Sequence, residues 1–360
     1  MSLNAAFHPL RVKEVRRETR DAVSIALEPP AELAELYRFE AGQYLTLRTE
    51  LEGEEIRRNY SVCVSPLDGE LRIAVKEVAG GVFSRYANRE LKAGDVIDIM
   101  PPMGRFTVAL EPEASHRYVA VAGGSGITPV MSLIKTVLQT EPRSRFTLLY
   151  GNRSTATVIF LEELAGLKNR FMDRLEVYHF LEDEAEEIEL FNGLLDRAKC
   201  EEVFSTLVRP DEVDCFYVCG PGPMMDAAEH ALLDKGVAPE RIKIERFTTD
   251  ALSGERLARA EALQQKAQGL SVEVTLDGRR AKVLFDAERG NILDSVRAAG
   301  LPAPFACKGG VCATCRAKIL SGTVEMKVNY GLSEEEVAAG YVLTCQSVPT
   351  SRDVTLSYDA

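Results

Sequence analysis

Three cysteines fall within nine residues near the C-terminus, and this group restricts what the chain can fold into more than any other feature. Cys307, Cys312 and Cys315 have the spacing C-x4-C-x2-C, and Cys345 follows much later in the chain. This spacing is typical of the four thiolate ligands of a [2Fe–2S] cluster. Three ligands must then come from one loop that wraps around a compact inorganic core. The two glycines between the first two cysteines permit such a close backbone approach.

Zinc and disulfide bonds are the alternatives for these four cysteines. A structural zinc site usually has two pairs of closely spaced ligands, whereas Cys345 has no second cysteine or histidine beside it. Disulfides suit small secreted domains, but this chain has 360 residues and begins without the apolar segment of a signal peptide. The pattern therefore favours an iron–sulfur cluster over both alternatives.

The charge balance argues against partners that carry negative charge. The formal net charge is −12 at pH 7, whereas nucleic acids and anionic membranes attract basic surfaces. An uncharged run over residues 118–134 contains glycines and a proline, and it is shorter than the roughly 20 residues that span a bilayer. We interpret this run as a buried strand followed by a helix. We expect a cytoplasmic protein with no nucleic-acid partner and no membrane contact.

Residues 1–110 have the pattern of an antiparallel β domain. Apolar and polar residues alternate over residues 44–49, 71–76 and 95–99, and glycines separate these runs. Period-two alternation of this kind is typical of strands with one buried face. The sequence therefore predicts an antiparallel β-barrel or sandwich in this region.

Two short motifs within this region have the chemistry to bind a phosphorylated aromatic cofactor. Arg58, Tyr60 and Ser61 would place a cation, a flat ring and a hydroxyl group on one strand. These groups suit a phosphate, an aromatic ring and a ring nitrogen respectively. Gly81 precedes a predicted helix that carries Ser84, and the first N–H groups of a helix can bind pyrophosphate. Each motif alone is more typical of plain surface, but together and in this order they favour a cofactor site.

Residues 111–248 change to continuous apolar strands that alternate with helices, which is typical of a parallel sheet. The glycine turn after the first strand differs from the G-x-G-x-x-G fingerprint, because Pro129 takes the place of the third glycine. After the next strand come Arg153 and Ser154, where an NAD site would have an acid to hold the ribose. A guanidinium group and hydroxyls suit a 2′-phosphate, so we predict NADPH as the nucleotide.

The order of these motifs resembles the ferredoxin–NADP reductase superfamily, in which such a barrel binds a flavin. The resemblance implies that Arg58 contacts the flavin phosphates and that Gly81 and Ser84 complete the phosphate site. It also implies that Tyr60 packs on the isoalloxazine ring and that Ser61 lies near N5. FAD is the expected flavin, with FMN as the alternative because FMN-binding relatives share the Arg-x-Tyr-Ser motif.

The same resemblance implies where the nucleotide binds. The turn Gly-Gly-Ser-Gly-Ile-Thr-Pro looks like the pyridine-nucleotide turn of the superfamily, and Cys219-Gly-Pro-Gly-Pro-Met looks like its partner motif near the nicotinamide. Thr128 and Cys219 would then line the hydride-transfer site, and Phe247 would cover the other face of the flavin. A small buried apolar residue at a strand end is the alternative interpretation of Cys219. The implied nucleotide-binding residues are Gly124, Gly126, Thr128, Arg153, Ser154, Cys219, Gly220 and Pro221.

The last third of the chain is predicted to hold a linker and a third domain. Residues 249–268 are rich in alanine, glutamine and charge, which predicts an exposed and partly helical linker. Residues 269–360 resemble a plant-type ferredoxin of β-grasp fold, with Cys345 supplied from a strand. The predicted fold is therefore multidomain α/β plus β, with an antiparallel flavin-binding barrel, a parallel-sheet NAD(P)-binding α/β domain and a C-terminal [2Fe–2S] ferredoxin domain.

Three cofactors in this order indicate a redox relay. Nicotinamide gives up two electrons together as hydride, whereas a [2Fe–2S] cluster accepts one at a time, and a flavin can mediate between them. The resemblance implies an NAD(P)H-dependent reductase whose cluster reduces a partner oxygenase, expected to be a di-iron enzyme. A Rieske-type or other oxygenase as acceptor, a non-enzymatic electron carrier and a redox-sensing regulator are the alternatives. No basic DNA-binding segment supports the regulator.

Overall fold

The computed structural model describes residues 6–247 and 254–360. These residues belong to two compact units, one covering residues 6–245 and the other starting at residue 246, and each unit is described by itself. No described helix has both the length and the apolar character that are needed to cross a membrane. The first unit contains residues 6–110 and 111–245 of the first two predicted domains, and each of these parts has its own sheet and its own apolar core.

The first sheet is an antiparallel barrel. Its elements are β1 (His8–Thr19), β2 (Ala22–Glu28), β3 (Tyr44–Leu51), β4 (Glu54–Ser61), β5 (Leu71–Lys76), α1 (Val82–Arg89) and β6 (Val96–Ile99). The strands pair in the order β4-β3-β6-β1-β2-β5. A bridge between Val62, directly after β4, and Ile73 in β5 joins the two edges of the sheet. Leu45 and Phe83 are buried in its core, and the predicted antiparallel fold is confirmed.

The second sheet has five parallel strands. Its elements are β7 (Arg117–Gly123), α2 (Ile127–Thr140), β8 (Arg145–Asn152), α3 (Leu161–Arg170), β9 (Leu175–Leu181), α4 (Arg197–Thr206), β10 (Cys215–Cys219), α5 (Gly222–Asp234) and β11 (Ile242–Glu245). The strand order is β11-β10-β7-β8-β9, so the chain leaves the central β7 first to one side and later to the other. Such a change of direction opens a crevice at the carboxyl ends of the strands. The predicted parallel sheet is confirmed.

Helix α4 lies over residues for which the sequence pattern predicts no helix. Only Cys200, Val203 and Phe204 are buried on it, and charged or polar residues form the rest of its surface. Asp196 caps its start, because the Asp196 carboxylate accepts a hydrogen bond from the backbone N–H of Lys199 at 2.9 Å. An apolar stripe this narrow is a weak signal of helix, since a typical amphipathic helix has three to four apolar residues in two turns.

The second unit has a β-grasp fold. Its elements are α6 (Gly254–Lys266), β12 (Ser271–Leu276), β13 (Arg279–Leu284), α7 (Ile292–Ala298), β14 (Arg316–Ser321), β15 (Val324–Met326), α8 (Glu334–Ala338), β16 (Tyr341–Leu343), β17 (Ser347–Pro349) and β18 (Asp353–Ser357). The main sheet has the order β13-β12-β18-β14-β16, with β12 and β18 parallel, and β15 pairs separately with β17. Asp277 and Gly278 form the hairpin turn between β12 and β13, with φ of 51° and 72°.

The structure departs from the exposed linker predicted for residues 249–268. Helix α6 occupies most of this stretch, and Leu263 packs against the apolar core of the second unit. Ala260 and Ala267 are buried as well. A few small apolar residues along a charged helix are a poor signal of packing, which explains the difference. Residues 248–253, which complete the predicted linker, lie outside the described residues.

Candidate redox cofactor sites

The predicted flavin motif lies at the end of β4. Arg58 and Tyr60 share one face of the strand because side chains alternate, and Ser61 points to the other face and is buried. The Tyr60 ring packs on Phe83 with a centroid distance of 5.5 Å and an angle of 35° between the planes. Burial raises the pKa of Tyr60, so its ring remains neutral. The Arg58 side chain is exposed, and an exposed guanidinium group can bind phosphate oxygens.

The predicted phosphate turn leads into α1. Gly80 has a φ of 72°, in the left-handed region that glycine adopts without strain. A Cβ atom at Gly81 would lie 2.3 Å from Ser84 Oγ, so only glycine fits there. The Ser84 hydroxyl donates to the Gly81 carbonyl oxygen and accepts from the Val78 N–H, both at 3.2 Å. The serine therefore holds the shape of the turn, which borders a cavity of about 220 Å³.

Ser61 is joined to the last strand of the parallel sheet by a hydrogen bond. Its hydroxyl donates to Oε2 of Glu245 at 3.1 Å. Burial raises the pKa of Glu245 to about 8. Cys219 pairs with Glu245 between β10 and β11 and is buried, and burial together with the nearby Glu245 raises the pKa of its thiol. Ser61, Cys219 and Glu245 thus converge, although the sequence pattern assigned no role to Glu245.

A cavity of about 710 Å³ lies at the carboxyl ends of β7 and β8, where the strand order predicts a crevice. Gly124, Arg153 and Pro221 line it, as the nucleotide prediction requires. The lining residues from the turns after β7, β8 and β10 and from nearby helices include Gly123, Gly124, Gly151, Asn152, Arg153, Pro221, Pro223 and Met224. The cavity has the size of a typical ligand site.

Two predicted glycines let the turns after β7 and β10 approach each other. A Cβ atom at Gly126 would lie 2.0 Å from the carbonyl oxygen of Cys219, and one at Gly220 would lie 2.9 Å from the N atom of Gly123. Any larger residue would separate the two turns. Thr128 is buried beside them and donates to the Ser125 carbonyl oxygen at 3.0 Å. These residues support the cavity wall from behind.

Arg153 and Ser154 differ in how they meet the cavity. Arg153 is exposed and lines it, whereas Ser154 begins a short 3-10 turn, in which its N–H donates to Thr157 Oγ1 at 3.2 Å. Phe247 follows the end of β11 by two residues and is partly buried. Its predicted place against the flavin stays a prediction.

Lys76 is a cavity residue that sequence reasoning missed. It ends β5 in the barrel, yet it lines the nucleotide cavity. Its Nζ atom would lie 3.8 Å from a Cβ atom at Gly124 and is 3.9 Å from Asp21 Oδ2. A lysine at the end of a barrel strand gives no local signal of this role. Only the packing of the barrel against the parallel sheet brings its charge to the glycine turn.

The four predicted cluster ligands form two pairs in the second unit. Cys307 and Cys312 lie close enough to shift each other's thiol pKa, and so do Cys315 and Cys345. All eight cysteines are free thiols in the structure. Among the described residues, no three or more Cys, His, Asp or Glu side chains surround a position for one metal ion. Two separate pairs suit a dinuclear cluster, in which each iron takes two thiolates, better than a single zinc ion.

The backbone of residues 307–315, the cysteine loop, also fits a cluster. Gly310 has a φ of 76°, and Lys308 and Ala313 adopt left-handed values of 54° and 52°. These turns aim N–H groups at sulfur: Cys307 N–H lies 3.4 Å from Cys312 Sγ, and Gly309 N–H lies 3.2 Å from Cys307 Sγ. Hydrogen bonds to sulfur are one of the means by which proteins adjust iron–sulfur clusters. The loop therefore has the donors that a negatively charged cluster needs.

Cys345 corrects one detail of the sequence prediction. The strand expected to supply it, β16, ends at Leu343, and Cys345 lies in the turn that leads to β17. Because Cys345 lies outside the strand, its side chain does not follow the alternating directions of side chains in the sheet. Its thiol can therefore lie next to that of Cys315. Gln346 next to it donates from Nε2 to the Lys308 carbonyl oxygen at 2.8 Å, which ties this turn to the cysteine loop.

Comparison with known families agrees with the three sites. Residues 9–108 match the oxidoreductase FAD-binding domain, residues 120–230 the oxidoreductase NAD-binding domain, and residues 274–350 the 2Fe-2S iron-sulfur cluster binding domain. Fold and sites together define a flavin- and iron–sulfur-dependent reductase of the ferredoxin–NADP reductase type. The chain belongs to the family of such reductases that serve oxygenases, with FAD, a pyridine nucleotide and a [2Fe–2S] cluster as its cofactors.

Individual relatives cover the whole chain. It is 44% identical over 354 residues to one of the subunits of 1,2-phenylacetyl-CoA epoxidase of Escherichia coli (strain K12), with 98% of each chain covered. It is 32% identical to the ferredoxin reductase component of 3-ketosteroid-9-alpha-monooxygenase of Rhodococcus rhodochrous, covering 97% of this chain and 96% of the relative. The structure of phthalate dioxygenase reductase shares the fold with a TM-score of 0.59 at 23% identity, over 98% of each chain. The predicted enzyme class is confirmed.

Proposed function

We propose that this protein oxidises NADPH and passes single electrons to a phenylacetyl-CoA epoxidase, which the resemblance implies is a di-iron enzyme. The observation that carries the proposal is 44% identity to one polypeptide of the Escherichia coli epoxidase over 98% of both chains. A relative that matched only one domain would not support a shared partner. A cytoplasmic location and a role in phenylacetate degradation belong to the same proposal.

The barrel residues would bind and orient the flavin. When bound, the nicotinamide supplies hydride, FAD takes up its two electrons, and the cluster carries electrons singly. Arg58 and the turn at Gly81 would hold the flavin phosphates, and Tyr60, fixed by its contact with Phe83, would support the ring. The Ser61 hydroxyl would face N5, with its direction set by the hydrogen bond to Glu245. Cys219 would exclude water beside them, because its side chain is apolar and buried.

Arg153 supports the choice of NADPH. Its exposed guanidinium group lines the nucleotide cavity, where it can meet a 2′-phosphate. Glu182 and Asp196 line the same cavity, and Arg197, the other arginine of its lining, is paired with Glu201 and Asp234. Lys76 at the glycine turn would neutralise negative charge on the pyrophosphate of the nucleotide. The preference for NADPH over NADH therefore depends on Arg153 in particular.

An anaerobic titration followed by mixing with the acceptor tests the proposed function. NADPH should bleach the visible absorption of both flavin and cluster in the purified protein. Adding the purified oxygenase part of the epoxidase, phenylacetyl-CoA and oxygen should then reoxidise the protein and form oxidised product. In the matched control Cys345→Ala, one proposed iron ligand is lost, so flavin bleaching should persist while transfer to the epoxidase is lost. Bleaching without transfer in the unaltered protein would contradict the partner, and absence of bleaching would contradict the reductase assignment.

A different oxygenase is the second candidate acceptor, because the 3-ketosteroid-9-alpha-monooxygenase reductase component also aligns over almost the whole chain. The same reduced protein, mixed with purified oxygenase components of such other systems, separates the candidates. We expect electron transfer to the phenylacetyl-CoA epoxidase to be the fastest. Faster transfer to another oxygenase would assign the protein to that system instead.

A further inference from the structure

Lys327 lies beside the turn that carries Cys345. β15 ends at Met326, which pairs with Ser347 in β17. The N–H of Lys327 donates to the Gln346 carbonyl oxygen at 2.9 Å. The backbone of Lys327 is therefore opposite the residue that follows Cys345. No motif in the sequence includes this lysine, and it is not one of the residues assigned to a cofactor above.

The side chain of Lys327 is held in place close to the protein. Its Nζ atom donates to the Gly290 carbonyl oxygen at 2.6 Å, and the residue is partly buried. Burial lowers the pKa of Lys327, and negative charge on Cys345 and Asp294 acts in the opposite direction. Together with the backbone contact to Gln346, this places the ammonium group within electrostatic range of the Cys345 sulfur. Its reduced contact with water weakens the screening of that interaction.

Asp294, a carboxylate near Lys327, is already engaged by another lysine. Asp294 forms an ion pair with Lys308 of the cysteine loop at 2.6 Å. It also accepts a hydrogen bond from Asn291 Nδ2 at 2.9 Å. Among the described ion pairs, which reach to 4.0 Å, none includes Lys327. The group of Lys308, Lys327 and Asp294 therefore has a net positive charge next to the turn of Cys345.

We propose that Lys327 helps to set the redox potential of the cluster, by placing a fixed positive charge beside Cys345. This inference rests on the proposed function, because it requires the cluster to be bound through Cys345. Reduction adds one negative charge to the iron and its thiolates, and a nearby cation in a poorly solvated position stabilises that charge. Lys327 thus raises the potential and makes the cluster a better acceptor for electrons from the flavin.

Redox titration of the complete protein, followed by optical absorption and by the electron paramagnetic resonance of the reduced cluster, tests the inference. The informative variant is Lys327→Gln, which keeps a donor for Gly290 but removes the charge. We expect its equilibrium constant for cluster reduction to fall about tenfold, which is about 59 mV for a one-electron couple. Lys327→Arg keeps the charge and should stay close to the unaltered protein. Lys327→Met should follow Lys327→Gln, because charge rather than hydrogen bonding is responsible.

Lys282→Gln is the matched control. Lys282 is exposed on β13, at the opposite edge of the main sheet from β16. The substitution therefore removes the same charge far from the turn of Cys345. Its potential should not change. An unchanged potential in Lys327→Gln with normal cluster content would overturn the inference, and so would loss of the cluster from both neutral variants, since Lys327 would then be a structural support. Absence of any cluster signal in the unaltered protein would instead contradict the proposed function.

Discussion

Glu245 shows how strongly the chemistry of one residue depends on its surroundings. In the sequence it is a glutamate in a short strand, which is an ordinary surface residue. In the structure its carboxylate accepts a hydrogen bond from the Ser61 hydroxyl at 3.1 Å, and burial raises the pKa of Glu245 to about 8. Its carboxyl group is therefore mostly protonated near neutral pH. A neutral carboxyl group can hold Ser61 in one direction without placing a full negative charge beside the predicted position of the flavin.

Replacing Ser61 by alanine tests its role in hydride transfer. We expect flavin reduction by NADPH to slow by about tenfold or more, because losing a buried hydrogen-bond partner costs about 1–3 kcal/mol. The cluster spectrum should stay intact, since the cysteines belong to the other compact unit. Stopped-flow absorbance measures the rate of flavin reduction directly. Ser115→Ala, at an exposed serine of the same unit, is the control, and equal rates in both variants would exclude Ser61 from the reaction.

Glu245 should make stability depend on pH. In the folded protein the Glu245 carboxyl group keeps its proton up to a pH of about 8, whereas in the unfolded chain it loses the proton near 4.5. The stability that this proton provides is therefore lost as pH rises from the lower value through about 8. In Glu245→Gln the side chain stays neutral at every pH. The melting temperature of Glu245→Gln relative to the unaltered protein should therefore rise between about pH 5 and about pH 8 and level off above that. A difference that does not change with pH would contradict the raised pKa of Glu245.

Replacing Arg153 by aspartate should reverse the nucleotide preference. Losing a charged hydrogen bond to a 2′-phosphate costs about 1.5–3 kcal/mol, so kcat/KM for NADPH should fall about tenfold to a hundredfold. Aspartate should also help NADH, because a carboxylate can accept the ribose hydroxyl. Steady-state kinetics with both nucleotides measure the change. Arg209→Asp, at an exposed arginine paired with Glu212 and outside the nucleotide cavity, should leave both values unaltered.

At the level of elements, turns and loops carry most of the sites. The turns after β7 and β10 meet because the strand order places these strands side by side, and Gly126 lets them touch. The cysteine loop also depends on its backbone conformation, because residues with left-handed φ values bend it around its thiols. The strands and helices fix where each loop starts and ends. The strands and helices therefore determine where the loops lie, and the glycines allow the loops to come into close contact.

The cysteine loop should tolerate no side chain at Gly310. Its φ is 76°, and a Cβ atom would lie 2.9 Å from Gln346 Cγ and 3.3 Å from the Val328 carbonyl oxygen. Gly310→Ala should lower the iron content per protein and the cluster absorbance. Gly340→Ala is a matched control, because Gly340 also has a positive φ of 87° but its nearest contact would be at 3.6 Å. Equal iron content in the two variants would show that left-handed strain, rather than crowding, is the limit.

At the scale of the whole molecule, the cofactor sites divide between the two compact units. The flavin motif and the nucleotide cavity lie in residues 6–245, and the four cysteines lie in the unit that starts at residue 246. Two-electron and one-electron chemistry are therefore assigned to separate units. Each unit has its own apolar core, so each is expected to fold by itself.

A protein that ends at residue 247 should retain the two-electron half of the reaction. We expect it to bind FAD and to reduce ferricyanide with NADPH at a rate within about twofold of the full chain, because its own core is complete. Transfer to the oxygenase should be lost, since the cysteines are absent. Assays with ferricyanide and with the epoxidase separate the two activities. Transfer to the epoxidase by this shortened protein would show that electrons leave from the flavin.

The sequence alone was enough to predict the three kinds of domain, and it also provides the flavin motif and the cysteine ligands as predictions. These features are local, because the spacing of Cys307, Cys312 and Cys315 or the alternation of a strand can be read from neighbouring residues. Tertiary structure alone decided that Glu245 accepts a hydrogen bond from Ser61 and that Lys76 reaches the cavity predicted to bind the nucleotide. It also decided that α6 packs on the core of the second unit and that Lys327 contacts Gln346, the neighbour of Cys345. Each of these contacts joins residues far apart in the chain, and such pairs are set by strand pairing and burial of the core, which no local pattern records.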